Sequence, residues 1–237
     1  MDGILEEKCW AIARCFLPEE NWWHGLPHIR RMLALLDGFF VEDPTVDTVV
    51  LNAVRMAVYF HDIGRSRPDD SRGHALASVD ILEELVEQEG LALPHREWVL
   101  YAIANHSVGL GGQSPTNEKE TVLGILVLLD HADAIGAIGI ARTFAHMGRS
   151  LPLIPEDEVD IKAIYYCFTY PKSITMADVQ IKERSCVGCI AFNFAATSHI
   201  TASLTGLIPV SFMDIISGRQ ERMKLFALDI LGQTGAT

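Results

Sequence analysis

Basic residues are scarce in this chain of 237 residues: 19 lysines and arginines against 31 aspartates and glutamates leave a formal net charge of −12. A protein that grips polymeric nucleic acid pairs cations with phosphates, so this balance excludes a nucleic-acid polymer as the main partner. A small anion is a different case, because a bound cation or a few local arginines can reverse the field around it. Long apolar runs are also missing. Ile125–Leu129 and Ile135–Ile140 come closest, and Asp130, His131 and Asp133 interrupt them, so no membrane partner is expected. The first ten residues, MDGILEEKCW, are acidic and lack the basic flank of a secretory signal. Five cysteines, an odd and sparse number, do not make a disulfide framework. Together these absences lead to the expectation of a cytoplasmic protein.

No internal repeat and no low-complexity linker interrupts the chain. With 49% hydrophobic residues it has ample material for one sizeable core, and a single domain with decorations is the expected organisation. The dominant period is helical. Ile4, Leu5, Ala11, Ile12, Cys15 and Phe16 fall on one stripe that Pro18 ends. A second helix is expected from about Pro27 to Asp37, before Gly38. Asp43-Pro44-Thr45 opens a third, carrying Val49, Val50, Ala53, Val54 and Ala57 towards His61, with Gly64 as its stop. Arg65–Gly73 reads as a loop. His74–Glu89 is a helix burying Leu76, Val79, Leu82, Leu85 and Val86, Pro94–His106 is another, and Gly109–Pro115 is a glycine-rich loop. Asn117–His146 reads as one long helix, or two joined near Gly136 and Gly139. Farther on, Tyr165–Tyr170 has the aromatic content of a strand, and Val187–Ser203 is taken as a helix. Ser211–Leu231 closes the chain as an amphipathic helix with Phe212, Ile215, Ile216, Met223, Phe226 and Ile230 facing in.

Chemistry is concentrated at His28 near the start of a helix, His61-Asp62 at the end of one, His106 near the end of another, and Asp130 within a fourth. Imidazole nitrogen and carboxylate oxygen are ligands for a divalent transition metal, and helical bundles build such sites from inward-facing side chains. Each residue also has an inert reading. A lone histidine on an apolar helix is usually a hydrogen-bonded core residue. A carboxylate inside LVLLDHADAIGAIG is harder to dismiss, because burying it without a cation or strong donors is costly. Cys186-Val187-Gly188-Cys189 lacks two further spaced ligands for zinc and lacks a strand–helix context for redox work, so inert thiols are expected. Trp22-Trp23 is read as core, with a wall for a base-binding pocket as the alternative.

The ordered pattern H…HD…D on helices resembles the HD-domain metal-dependent phosphohydrolase superfamily. His28-Ile29-Arg30-Arg31-Met32 resembles its first motif, and Tyr59-Phe60-His61-Asp62-Ile63-Gly64-Arg65 the central one. Asp130-His131-Ala132-Asp133-Ala134-Ile135-Gly136 is similar to the last motif of the bacterial and archaeal branch of small pyrophosphohydrolase-like proteins, although His131 stands where that branch often has arginine. The likeness covers roughly residues 20–150. It implies an all-α fold: a compact multi-helix HD-domain bundle, core about 20–150, with a mostly helical C-terminal part, about 151–237, packed on it as one domain.

The resemblance further implies that His28, His61, Asp62 and Asp130 hold a divalent transition metal, with Mn, Fe, Co, Ni and Zn all compatible with mixed nitrogen and oxygen ligands. Asp62 would also orient or deprotonate the attacking water, and Arg65 and Arg31 would contact phosphate. His74 and His106 fall in the order of a second-metal set, with contact to the ligands or phosphate as the alternative. His24 is open between such contact and a helix-start role. Asp133 is expected to be structural, pairing with Arg142 or a helix end. The implied activity is hydrolysis of a phosphomonoester or a nucleotide pyrophosphate bond, on a small phosphorylated substrate of the nucleotide class. A dinuclear iron oxygenase using His74 and His106 is the alternative. Monomer and homodimer both stay open.

Overall fold

Asp47 accepts a hydrogen bond from the Val49 amide at 2.8 Å, and this cap starts the most buried helix of the first half. The structure, a computed structural model, describes residues 3–41, 46–148, 150–171 and 180–233. Among these residues it holds ten α-helices: α1 Gly3–Phe16, α2 Leu26–Val41, α3 Thr48–Phe60, α4 His74–Glu89, α5 Arg96–Asn105, α6 Glu118–Asp133, α7 Gly136–Met147, α8 Glu158–Thr169, α9 Cys186–Ser203 and α10 Val210–Gln233. A 3₁₀ turn, Ile63–Ser66, lies between α3 and α4, and no strand occurs among the described residues. The fold class is all-α, as the helical period requires. The chain divides into two compact units, Met1–Leu129 and Asp130–Thr237, and the division falls inside α6.

In the first unit α3 packs on α1, α2 and α5, while α4 packs on α5 and the 3₁₀ turn. Every residue from Met56 to Phe60 is buried, so α3 delivers His61 and Asp62 into an apolar interior. Each large apolar side chain so placed contributes about 1.5–3 kcal/mol. Tyr59 meets the Trp10 ring edge-on at 5.5 Å and donates its hydroxyl to Glu6 at 3.0 Å, tying α1 to α3.

Several sequence expectations need correction. The second helix runs through Gly38 to Val41, and the third opens at the Asp47 cap; Asp43-Pro44-Thr45 lies outside the described residues. Ile4, Val49 and Leu76 are exposed, each in the first turn of its helix, where the flank is open to solvent. On α1 the buried stripe is Cys9, Ile12 and Ala13, leaving Ala11 and Cys15 outside. Burial pushes the Cys9 thiol up to about 12, so we expect Ellman's reagent at pH 8 to titrate Cys15 quickly in the native protein. Cys9 should react only after denaturation; fast native labelling of a Cys15→Ser variant at Cys9 would contradict the packing.

In the second unit α9 is buried on most of its circumference and packs on α7, α8 and α10. The expected strand at Tyr165–Tyr170 is instead the last part of α8. Asp157 caps that helix by accepting from the Val159 amide at 2.7 Å, and Glu158 and Asp160 in the first turn favour it further, outweighing the aromatic β-propensity. Gly136, at φ +74, separates α6 from α7, which resolves the long Asn117–His146 segment into two helices. Asp133 pairs with Arg142 at 2.8 Å, the structural role expected of it. Cys186 and Cys189 stand in the first turn of α9 behind the Ser185 cap as free thiols, and burial pushes both upward, consistent with inert groups. Ile215 is exposed at the edge of its stripe, while Phe212, Ile216 and Met223 are buried. Among the described residues no single helix is long and apolar enough to cross a membrane.

Candidate metal centre

Five histidines and one aspartate of the first unit converge from five elements. His24 comes from the turn before α2, His28 from the first turn of α2, His61 and Asp62 from the end of α3, His74 from the start of α4, and His106 from the C-cap of α5. Asp62 is the hub. His24 Nδ1 lies 3.0 Å and His61 Nε2 3.8 Å from its Oδ2. Arg65 Nε lies 2.8 Å, His74 Nε2 3.3 Å and His106 Nε2 4.0 Å from its Oδ1. The His28 ring centroid is 5.4 Å from that of His61, and their ligand atoms come within 4.8 Å of one another.

The backbone aims two of these rings. His61 Nδ1 donates to the Val58 carbonyl at 3.0 Å, and His106 Nδ1 donates to the Ile103 carbonyl at 2.7 Å. A carbonyl only accepts, so each Nδ1 carries a proton, and each ring turns its Nε2 to the centre. His74 Nε2 sits 3.0 Å from His106 Nε2. Asp62 Oδ1 is buried and, among the described residues, receives no donor with hydrogen-bond geometry, although Arg65 balances its charge. Ring nitrogens and a carboxylate oxygen packed this closely fit a cation. Asp62, His74 and His106 offer ligand atoms all within 4.8 Å of one another, so the second-metal order read in the sequence corresponds to a real cluster.

Electrostatics agree with this arrangement. Burial opposes the charge on Asp62, yet His61, the His24 hydrogen bond and Arg65 together hold its carboxyl well below the usual range. Burial, helped by Arg65 and His106, pushes His74 down to about 4, leaving it neutral and able to ligate at neutral pH. An unfolded chain binds that proton near 6.5, so between 6.5 and about 4 the unfolded state carries more protons. The metal-free protein should therefore lose stability as pH falls through that window. His74→Gln should flatten this part of a Tm-against-pH curve; an unchanged slope would contradict a buried neutral imidazole.

Sequence reasoning underrated one residue. Ser78, one helical turn beyond His74, accepts from the Gly64 amide at 2.8 Å and donates to the His61 carbonyl at 2.7 Å. It thereby locks the end of α3, the 3₁₀ turn and α4 together. The signal was a hydroxyl on the buried face of an apolar helix. Ser78→Ala leaves two buried backbone groups unsatisfied and should cost about 1–3 kcal/mol, read by urea unfolding. A loss under about 0.5 kcal/mol would contradict the bridging role.

Arg65, expected to contact phosphate, lies against Asp62 with its Nε 2.8 Å from Oδ1, and its Nη2 is 3.4 Å from His74 Nε2. Arg31 donates to the Trp22 carbonyl at 2.8 Å and lies over the Trp22 ring. Trp22 is 58% exposed, so the core reading of that residue is corrected. Asp130 is half-buried on the last turn of α6, as the first residue of the second unit.

Comparison with known proteins agrees with this geometry. A crystal structure of a structural-genomics target from Lactobacillus plantarum superposes with a TM-score of 0.66, covering 100% of this chain and 99% of that one, at 16% sequence identity. At that identity the likeness speaks for the fold. No curated protein matches the chain. The family model described as HD domain matches residues 26–136, a stretch that begins at the helix of His28 and ends just past Asp133. The chain therefore carries an HD domain over residues 26–136.

Proposed function

We propose that this protein is a metal-dependent phosphohydrolase that cleaves a phosphomonoester or a nucleotide pyrophosphate bond. HD-domain proteins are generally metal-dependent phosphohydrolases, and the His/Asp groups here can hold a metal. The observation that carries the reading is the convergence of imidazole nitrogens on a buried carboxylate, Asp62, whose Oδ1 meets no well-placed donor among the described residues. His28, His61, Asp62 and Asp130 would hold the ion, Asp130 on the strength of its motif. When bound, such an ion polarises a phosphoryl group and lowers the pKa of bound water. Asp62 keeps one oxygen towards the centre while His24 holds the other, so the carboxylate would help hold the ion and would be placed to orient an attacking water by hydrogen bonding. Arg65, anchored on Asp62, presents guanidinium donors beside the place a phosphate oxygen would occupy.

The test is to purify the protein with its native metal, quantify the ions, and screen nucleotides and phosphate esters for released phosphate or pyrophosphate. Metal-dependent release supports the proposal. No release from any ester by fully loaded protein would end it. The Asp62–His74–His106 cluster favours a second reading with two ions in one centre. Two ions with phosphate release fit a dinuclear hydrolase, whereas two irons with oxygen uptake fit the oxygenase alternative.

A further inference from the structure

Between α1 and α2 the chain makes a tight turn that points His24 inward and leaves Trp22 outside. Gly25 has no room for a side chain, since a Cβ would stand 2.1 Å from the Pro18 carbonyl oxygen and 2.5 Å from that of Asn21. Asn21 Oδ1 accepts from the amides of Trp23 at 3.2 Å and His24 at 3.0 Å, and the Asn21 carbonyl accepts from Gly25 at 2.8 Å. The Leu26 amide reaches back to the Pro18 carbonyl at 3.1 Å. A turn tied at so many points is a rigid arm. One of its side chains, His24, meets Asp62 Oδ2 at 3.0 Å. Two residues earlier, Trp22 holds most of its indole in solvent.

Arg31, on the α2 turn after His28, completes the arrangement. Its Nη2 donates to the Trp22 carbonyl at 2.8 Å, and its guanidinium carbon lies 5.7 Å from the indole centroid. The ring is thus fixed at its backbone and backed by a cation, on the same arm that touches the centre. Exposure of one tryptophan needs no explanation by itself. Exposure of a tryptophan that is locked in place, next to a guanidinium and two residues from a group on the catalytic carboxylate, does. On a chain of net charge −12, an uncharged stacking contact also gains what long-range attraction cannot supply to an anion.

We propose that Trp22, backed by Arg31, is a stacking platform for the base of a nucleotide whose phosphate is handled at the Asp62 centre. This rests on the hydrolase reading and narrows its substrate to phosphates that carry a planar aromatic base. Stacking tolerates any base, because every base has a π-face.

The experiment measures binding of adenosine 5′-monophosphate and of glycerol phosphate to the metal-loaded protein, by calorimetry and by quenching of tryptophan fluorescence. Wild type should bind the nucleotide more tightly and show quenching with the nucleotide alone. In Trp22→Ala the ratio of the two affinities should fall about 10-fold, while Trp22→Phe should keep it within about 3-fold. An unchanged ratio in Trp22→Ala, or equal affinity of wild type for both ligands, overturns the platform. Failure to bind the nucleotide, with metal-dependent phosphate release from other esters intact, overturns it while leaving the hydrolase reading in place. Trp22-dependent nucleotide binding without hydrolysis of any ester supports the platform and sinks the hydrolase reading.

Discussion

Asp62→Ala should lower kcat/KM by about 10³-fold or more, equivalent to ~4 kcal/mol of lost transition-state stabilisation, while far-UV helicity stays near wild type. The size follows from the number of groups that depend on this one carboxylate. His24, Arg65, His74 and His106 all lie within 4.0 Å of its oxygens, and His61 at 3.8 Å. Without it, the proposed centre loses the carboxylate on which these groups converge, and Arg65 loses the partner that positions it. Stability should also drop, because removing one member of a buried charged group leaves the others uncompensated, typically at about 3–5 kcal/mol. Asp62→Asn separates the effects: it keeps the shape and an acceptor oxygen but not the charge, so it should retain more stability than activity. Asp62→Ala enzyme with full turnover would refute the assignment of the centre.

Gly64→Ala should be among the most damaging single-methyl changes in the chain. A Cβ at position 64 would lie 2.1 Å from the His74 carbonyl oxygen, 2.4 Å from the Ser78 nitrogen and 2.8 Å from Ser78 Oγ. The first two are backbone atoms of the first turn of α4 and cannot swing aside, so α4 and the 3₁₀ turn must separate. Separation stretches both Ser78 hydrogen bonds and withdraws His74 from Asp62. Overpacking and lost hydrogen bonds together make a cost of ~3–5 kcal/mol, a drop of roughly 10 °C in Tm for a protein of this size. Gly38→Ala is the matched control. Gly38 lies in α2 with nothing within 4 Å of a Cβ, so alanine there should raise stability by up to ~1 kcal/mol. Equal Tm values for the two variants would contradict the close approach of α4 to the turn.

The helices were legible because periodicity and punctuation coincide in this chain. His74–Glu89 was bounded correctly by its glycines, and the two-helix reading of Asn117–His146 follows from Gly136, which needs a positive φ. The strand expected at Tyr165–Tyr170 failed because aromatic content was weighed without the distant cap at Asp157, which decides the segment eight residues earlier. Exposure of Ile4, Val49 and Leu76 was not legible, since periodicity carries no mark of where packing on a neighbour stops.

At the site, the residue types and their order were enough to nominate His28, His61, Asp62, His74 and His106. Their roles were not readable. That His24 holds Asp62, that Arg31 lies on Trp22, and that Ser78 fixes the motif all depend on which turn faces which. Such relations are tertiary and leave no spacing signature in the chain.

The proposed centre is one ion held by His28, His61, Asp62 and Asp130. Anomalous diffraction from crystals grown with manganese tests it most directly. A strong peak is expected about 2.0–2.3 Å from a nitrogen of His28, a nitrogen of His61 and an oxygen of each of the two aspartates. A map with no peak at these four side chains, or with the peak bound elsewhere and Asp130 turned away, would contradict it.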